Sequence, residues 1–160
     1  MKLRWSVVAL ATALNLVWLT GCSQAPPEPQ VPAITFDSAG QPSLAPTGDL
    51  TPPATLQVKV LTPGDGPALE EGQQVEVLYA GWLWASGALY NDVYRQNAPA
   101  SFPLNSATVM PGWVEGLVGQ KVGSVVEVVI PPDKGYGSQA AGGVPANSTL
   151  VFVFTIIGAS

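Results

Sequence analysis

The sequence predicts an α+β domain in which an antiparallel sheet of five to six strands wraps around one short helix. Three observations point there. Several segments between Thr55 and Ile157 are apolar at every second position, the period of a half-buried strand. Only Trp113, Val114, Leu117 and Val118 fall at helical spacing, over about two turns. The stretch from Thr55 to Gly158, about a hundred residues, is enough for one core. Sheet and helix then have to bury their apolar sides against each other.

Met1 to Cys22 stands outside this domain. Lys2 and Arg4 precede WSVVALATALNLVWLT (5–20), which carries no charge. That run is shorter than the about 20 residues a membrane-spanning helix needs. It matches the apolar core of a secretory signal, which ends in small residues. The segment closes on LTGC (19–22), which resembles the bacterial lipobox. That resemblance implies that Cys22 is acylated and becomes the first residue of the mature chain. Cys22 is the only cysteine, so an intramolecular disulfide is excluded although an exported protein could use one. A plain signal peptide beside a free thiol is the alternative. The expected location is extracytoplasmic, with the protein lipid-anchored to the cell membrane.

Ser23 to Ala54 contains eight of the sixteen prolines, no Lys or Arg, and three acids, Glu28, Asp37 and Asp49. Such a stretch buries too little apolar surface to offset its ordering entropy, and reads as a Pro-rich tether. At an extended limit of about 3.1 Å per residue it would hold the domain tens of ångströms from the membrane. Ile34-Thr35-Phe36 is β-prone, and stays open between tether and edge strand.

The domain follows as residues 55–160. TLQVKVL (55–61) alternates Leu56, Val58 and Val60 with Gln57 and Lys59, and GDG (64–66) is a turn signal. In VEVLYAGWL (75–83), Val75, Val77 and Tyr79 share a face opposite Glu76. Pro111-Gly112 opens the helix, and Gly116 and Gly119 keep it short. SVVEVVI (124–130) sets Val126, Val128 and Ile130 opposite Glu127, and Pro131-Pro132 ends that strand. TLVFVFTII (149–157) is the last strand, with Leu150, Phe152, Phe154 and Ile156 on one side.

Charge and composition exclude much chemistry. Loss of residues 1–21 removes two of six basic residues and none of eleven acids, taking the net charge from −5 to −7. An acidic domain without a basic stripe argues against nucleic acid as a partner. There is no histidine, which excludes a His general base, a Ser-His-Asp triad and the common His/Cys zinc sites. No metal or organic cofactor is expected. Gly135, Gly137, Gly142 and Gly143 lack the lysine and strand–helix setting of a phosphate loop.

Four motifs then stand in a telling order: VLYAGWL (77–83), VMPGWVEGLVG (109–119), PPDKGYG (131–137) and TLVFVF (149–154). From about Gly64 to Ile157 the chain resembles the FKBP-type peptidyl-prolyl cis/trans isomerases. The resemblance implies an FKBP-like fold and an isomerase acting on the X-Pro bonds of exported polypeptides. Prolyl isomerisation needs no acid–base group. A water-poor aromatic pocket disfavours the charge-separated planar amide more than the twisted transition state. Residue by residue, Trp113 matches the pocket floor; Tyr79, Phe102 and Phe152 match its walls, and Tyr90 stands where phenylalanine is usual. Val109 and Met110 match an aliphatic pair, with the Met110 N–H receiving a substrate carbonyl. Tyr136 matches a tyrosine whose hydroxyl bonds a second carbonyl, and Val144 a residue of the rim. Asn91 replaces the usual aspartate, which removes a charge and an acceptor-only group. Gln96 and Ala100 depart from the pattern as well, and the loop from Tyr136 to Val144 is one residue short. Proline-containing polypeptides are the expected partners, tacrolimus-like macrolides a further ligand class, and a monomer the expected state. Two other readings use the same residues: a non-catalytic module that binds proline segments, and a β domain whose aromatics are only core.

Overall fold

The computed structural model describes residues 31–160. The expected signal segment, its lipobox and Cys22 lie outside the described residues.

Six strands form one antiparallel sheet: β3 (Gln57–Thr62), β4 (Gln74–Leu83), β5 (Leu89–Asp92), β6 (Ala100–Pro103), β7 (Val125–Ile130) and β8 (Leu150–Ala159). Their order is β3-β7-β8-β4-β5, and β6 pairs with the first half of β4. The long central strands β4 and β8 run in register from Val75↔Ala159 to Leu83↔Leu150, with a bulge at Glu76/Val77. The single α-helix among the described residues, α1 (Pro111–Leu117), crosses one face. It buries Trp113, Val114 and Leu117 against Val126, Val128 and Ile130 of β7 and Leu150, Phe152, Phe154 and Ile156 of β8.

Glycine lets that helix lie close. A Cβ on Gly112 would stand 2.5 Å from Ile130, and one on Gly116 would stand 2.8 Å from Val128. Gly116 is therefore needed for contact with the sheet. The helix ends instead at Leu117, capped by Val118, and Gly119 follows with a φ of +84° that is costly for residues with a Cβ.

Two expectations are corrected here. The first concerns β3, whose Val58 and Val60 are 40% and 46% exposed. They share a face with Val126 and Val128, but β3 is the sheet edge, and a two-turn helix does not reach across it.

The second concerns the Pro-rich segment, which is not an extended tether over 31–54. Ile34–Phe36 is a strand, β1, yet it does not join the main sheet as an edge. It pairs with β2 (Pro42–Leu44) in a separate hairpin closed by Asp37, whose Oδ1 accepts from the N–H groups of Ala39 and Gln41. Ile34 and Leu44 pack on the sheet face opposite α1, against Ala80, Trp82, Tyr94 and Val153 and against Trp84, Val129 and Val151. Val31 and Leu50 extend this cover over the second group. The sheet is thus buried on both sides, which accounts for the nearly unbroken apolar runs of β7 and β8.

Candidate functional site

A cavity of about 310 Å³ opens where α1 meets β4, β5 and β8. Its lining is Tyr79, Asn91, Thr108, Val109, Met110, Trp113, Tyr136 and Phe152. Trp113 anchors it. Its ring lies 4.8 Å from that of Tyr79 at 68°, 5.1 Å from Phe152 at 85° and 5.0 Å from Phe154 at 85°. These are edge-to-face pairs, which aromatic quadrupoles favour. The indole is fixed on several sides and leaves part of its surface to the cavity.

The strand register sets the walls. Tyr79 faces the helix from β4, and Gly81 sits opposite Phe152 across the β4–β8 ladder. A Cβ at Gly81 would come within 2.5 Å of the Phe152 ring, so the glycine is what gives that ring its place.

Two hydrogen-bonding groups remain free at the mouth. Met110 precedes α1 with φ −61° and ψ 147°, and its N–H donates to no group among the described residues. Tyr136 is 37% exposed, between Gly135 and Gly137, and its hydroxyl makes no hydrogen bond among the described residues. Its loop is tied down at both ends. The Gly137 N–H donates to Pro132 O at 2.8 Å, and Lys134 Nζ meets both Glu115 oxygens at 2.6 and 2.7 Å. That ion pair joins the tyrosine loop to the helix carrying Trp113.

The site is electrically quiet. Burial raises the Tyr79 hydroxyl above its usual range, and the Asn91 side chain beside it opposes the shift. Burial raises Tyr90 much further, and its hydroxyl has no partner. Asp92 does not stand in for the missing aspartate. It pairs with Ala80 on β4, and its carboxylate holds Arg95 Nε at 3.0 Å and the Arg95 N–H at 3.2 Å. No aspartate or glutamate lines the cavity. Among the described residues, no three His, Cys, Asp or Glu side chains gather as metal ligands.

Seven of the expected site residues line the cavity: Tyr79, Asn91, Val109, Met110, Trp113, Tyr136 and Phe152. Two stand behind it. Tyr90 packs on Phe152 at 5.9 Å, and Phe102 backs the Trp113 indole at 5.3 Å. Val144 is a correction, since it is 2% exposed and belongs to the core rather than the rim. The tight Ala141–Val144 turn, made by Gly142 and Gly143 at positive φ, carries it inward. Thr108 also lines the cavity and was not expected there. Its signal was Asn105, whose Oδ1 accepts from the N–H groups of Ala107 and Thr108 and from the Thr108 hydroxyl, and so fixes the approach to Val109. A groove of about 380 Å³ between Trp84–Ser86 and Pro145–Thr149 is larger, but its one ring, Trp84, is buried.

Residues 66–157 match the model of the FKBP-type peptidyl-prolyl cis-trans isomerase family. The FK506-binding protein of Streptomyces anulatus is 36% identical over 108 residues, which is 66% of this chain and 87% of that protein. The FKBP-type peptidyl-prolyl cis-trans isomerase FkpA of Escherichia coli (strain K12) is 40% identical over 97 residues, 61% of this chain and 35% of FkpA. The crystal structure of FkpA from Escherichia coli superposes with a TM-score of 0.61 at 32% identity, covering 79% of this chain and 51% of the other.

Proposed function

Since the chain belongs to the FKBP-type peptidyl-prolyl cis-trans isomerase family and is an enzyme of that class, we propose that it isomerises X-Pro bonds of exported polypeptides in the Trp113 cavity. A proline ring seats on the indole between Tyr79 and Phe152, out of water. The free Met110 N–H receives one substrate carbonyl and the Tyr136 hydroxyl donates to another.

The chemistry follows from the cavity's lack of charge. The planar amide owes its barrier of about 18–20 kcal/mol to charge-separated resonance, which water solvates well. In a cavity walled by rings that solvation is lost, and the twisted amide, with less charge separation, loses less of it. The two free donors fix the flanking carbonyls, so that binding holds the peptide on both sides of the rotating bond. Each 1.36 kcal/mol removed from the barrier is about tenfold in rate, so these few contacts suffice.

The observation carrying this reading is a buried indole beside two unengaged hydrogen-bond donors. The test is protease-coupled isomerisation of a Leu-Pro tetrapeptide by the full chain, beside a W113L/Y136F variant. Acceleration that the variant loses supports the reading. No acceleration from a chain shown to be folded by circular dichroism would overturn it, and would leave a module that only binds proline segments. Asn91 favours modest turnover, because the neutral amide orients Tyr79 less firmly than a carboxylate.

The site of action is proposed on the same terms. The apolar run 5–20 and LTGC support export and a lipid on Cys22, which would keep the isomerase at the outer side of the membrane. Loss of membrane partitioning and of a lipid mass shift in C22A checks it.

A further inference from the structure

On the sheet face away from the cavity, β7 presents Val125, Glu127 and Val129 in a row. Glu127 is 1% exposed, and neither of its carboxylate oxygens has a hydrogen-bond partner. Val153 lies opposite it on β8 and Lys59 opposite it on β3. An ionised carboxylate there has lost its hydration without replacement, whereas a protonated one loses far less. Its neighbours Val125, Val129 and Val153 belong to the clusters on which Ile34 and Leu44 pack, so the group can avoid that state by binding a proton or by losing this cover.

The cover is a separable piece. The hairpin of β1 and β2 shares no backbone ladder with the six-stranded sheet. The backbone hydrogen bonds of residues 33–50 stay within that segment. It is fastened by the apolar side chains of Val31, Ile34, Leu44 and Leu50 and by two side-chain bonds. These run from Gln41 Nε2 to Tyr94 O at 3.4 Å and from Thr47 Oγ1 to Trp84 O at 2.9 Å.

We propose that residues 31–50 form a proton-controlled cover, docked on the sheet while Glu127 is protonated and loosened when Glu127 ionises. The surrounding groups leave control with this carboxyl. Lys59 favours its charged form but is itself exposed. Tyr94 is engaged with Thr155 Oγ1 at 2.8 Å, and β8 presents Val153. On the cover, Asp37 turns back onto its own hairpin and Asp49 is exposed. Burial outweighs Lys59 and pushes the Glu127 carboxyl up to about 7. What the cover would release is an apolar surface that includes Trp82, Trp84 and Val151, together with a longer free N-terminal segment.

Hydrogen exchange of the full chain at pH 5 and pH 8, corrected for intrinsic rates, tests this. A carboxyl at about 7 when docked and 4.5 when free predicts that protection of the Ala45 amide and the β1–β2 amides falls by at most about 70-fold between those pH values. The amides of β4 and β8, which open only by global unfolding, should stay better protected than the hairpin at both pH values. In E127Q the hairpin should stay protected at both pH values, and in E127L likewise should the amide group disturb packing. L44D, which should free the hairpin at either pH, sets the scale for a loosened cover. Equal profiles in the wild type and E127Q would overturn the proposal. So would a hairpin whose protection ignores pH, or one as well protected as the sheet at both pH values.

Discussion

Gly81→Ala tests how the cavity is built, because one methyl group is aimed at one wall. The added Cβ would stand 2.5 Å from Phe152 Cε1, 3.0 Å from Cδ1 and 3.1 Å from Cζ. Ordinary contact needs about 3.5 Å or more, so the ring edge must retreat by roughly 1 Å. It has little room. Trp113 lies 5.1 Å away, Phe154 5.6 Å and Tyr90 5.9 Å, centre to centre. Overpacking of this kind costs about 1–3 kcal/mol. For a domain of this size that lowers the melting temperature by roughly 4–12 °C. Because Phe152 and Trp113 both line the cavity, kcat/KM should fall with it, by about tenfold for a wall displaced toward the proline. Thermal melts by circular dichroism and the protease-coupled assay read the two effects. F152L supplies the cycle: in that background the methyl has space, so Gly81→Ala should cost at least about 1 kcal/mol less. A melting temperature within a degree of the wild type, with full activity, would refute the claim that Gly81 sets the Phe152 wall.

Tyr136→Phe removes a hydroxyl with no partner among the described residues, so stability should stay within about 0.5 kcal/mol. Its kcat/KM should drop by about tenfold, the worth of one hydrogen bond of about 1.4 kcal/mol, as steady-state kinetics can show. Asn91→Asp puts an acceptor-only group beside the Tyr79 hydroxyl and should raise kcat/KM several-fold without a change in fold, in the same assay. Between pH 6 and 9 kcat/KM on a tetrapeptide should be flat, since Asn91 is neutral and burial raises both Tyr79 and Tyr90. Stability should not be flat. The folded carboxyl of Glu127 is raised from 4.5 to about 7, so protonation favours the folded form. Stability is then full below pH 4.5, falls as pH rises toward 7, and levels above it. Denaturant titrations should show a loss of up to about 3 kcal/mol that E127Q lacks.

Much of the cavity was legible because its residues sit in motifs whose types match their work. A tryptophan after Pro-Gly and a tyrosine between glycines are poor choices for surface loops unless something uses them. The fold's helix-bearing face was legible for the same reason, since Val126, Val128 and Ile130 and the alternate residues of β8 keep strand period. Its other face was not. A half-buried strand and one covered on both sides differ only in the residues between, here Val151, Val153 and Glu127. Those residues do not say what covers them. The hairpin escaped because β1 and β2 have three residues each and a composition typical of tethers. They hold by docking Ile34 and Leu44, a tertiary effect that local propensity does not register. Val144 was misplaced by a turn whose direction depends on two glycines at positive φ. Chain spacing alone does not give that direction.

On the proposed lipid anchor, docking the hairpin would also change how far the enzyme can travel. A free segment from Cys22 to the start of the domain would include all of residues 23–54, about 100 Å at full extension, whereas residues 23–30 alone reach about 25 Å. Were Cys22 lipidated as proposed, a fourfold shorter leash would confine the cavity to a volume about 60-fold smaller and raise its effective concentration near the membrane in proportion. A folded cover would then favour chains just emerging at the bilayer, and a loosened one would let the same cavity search deeper into the space beyond.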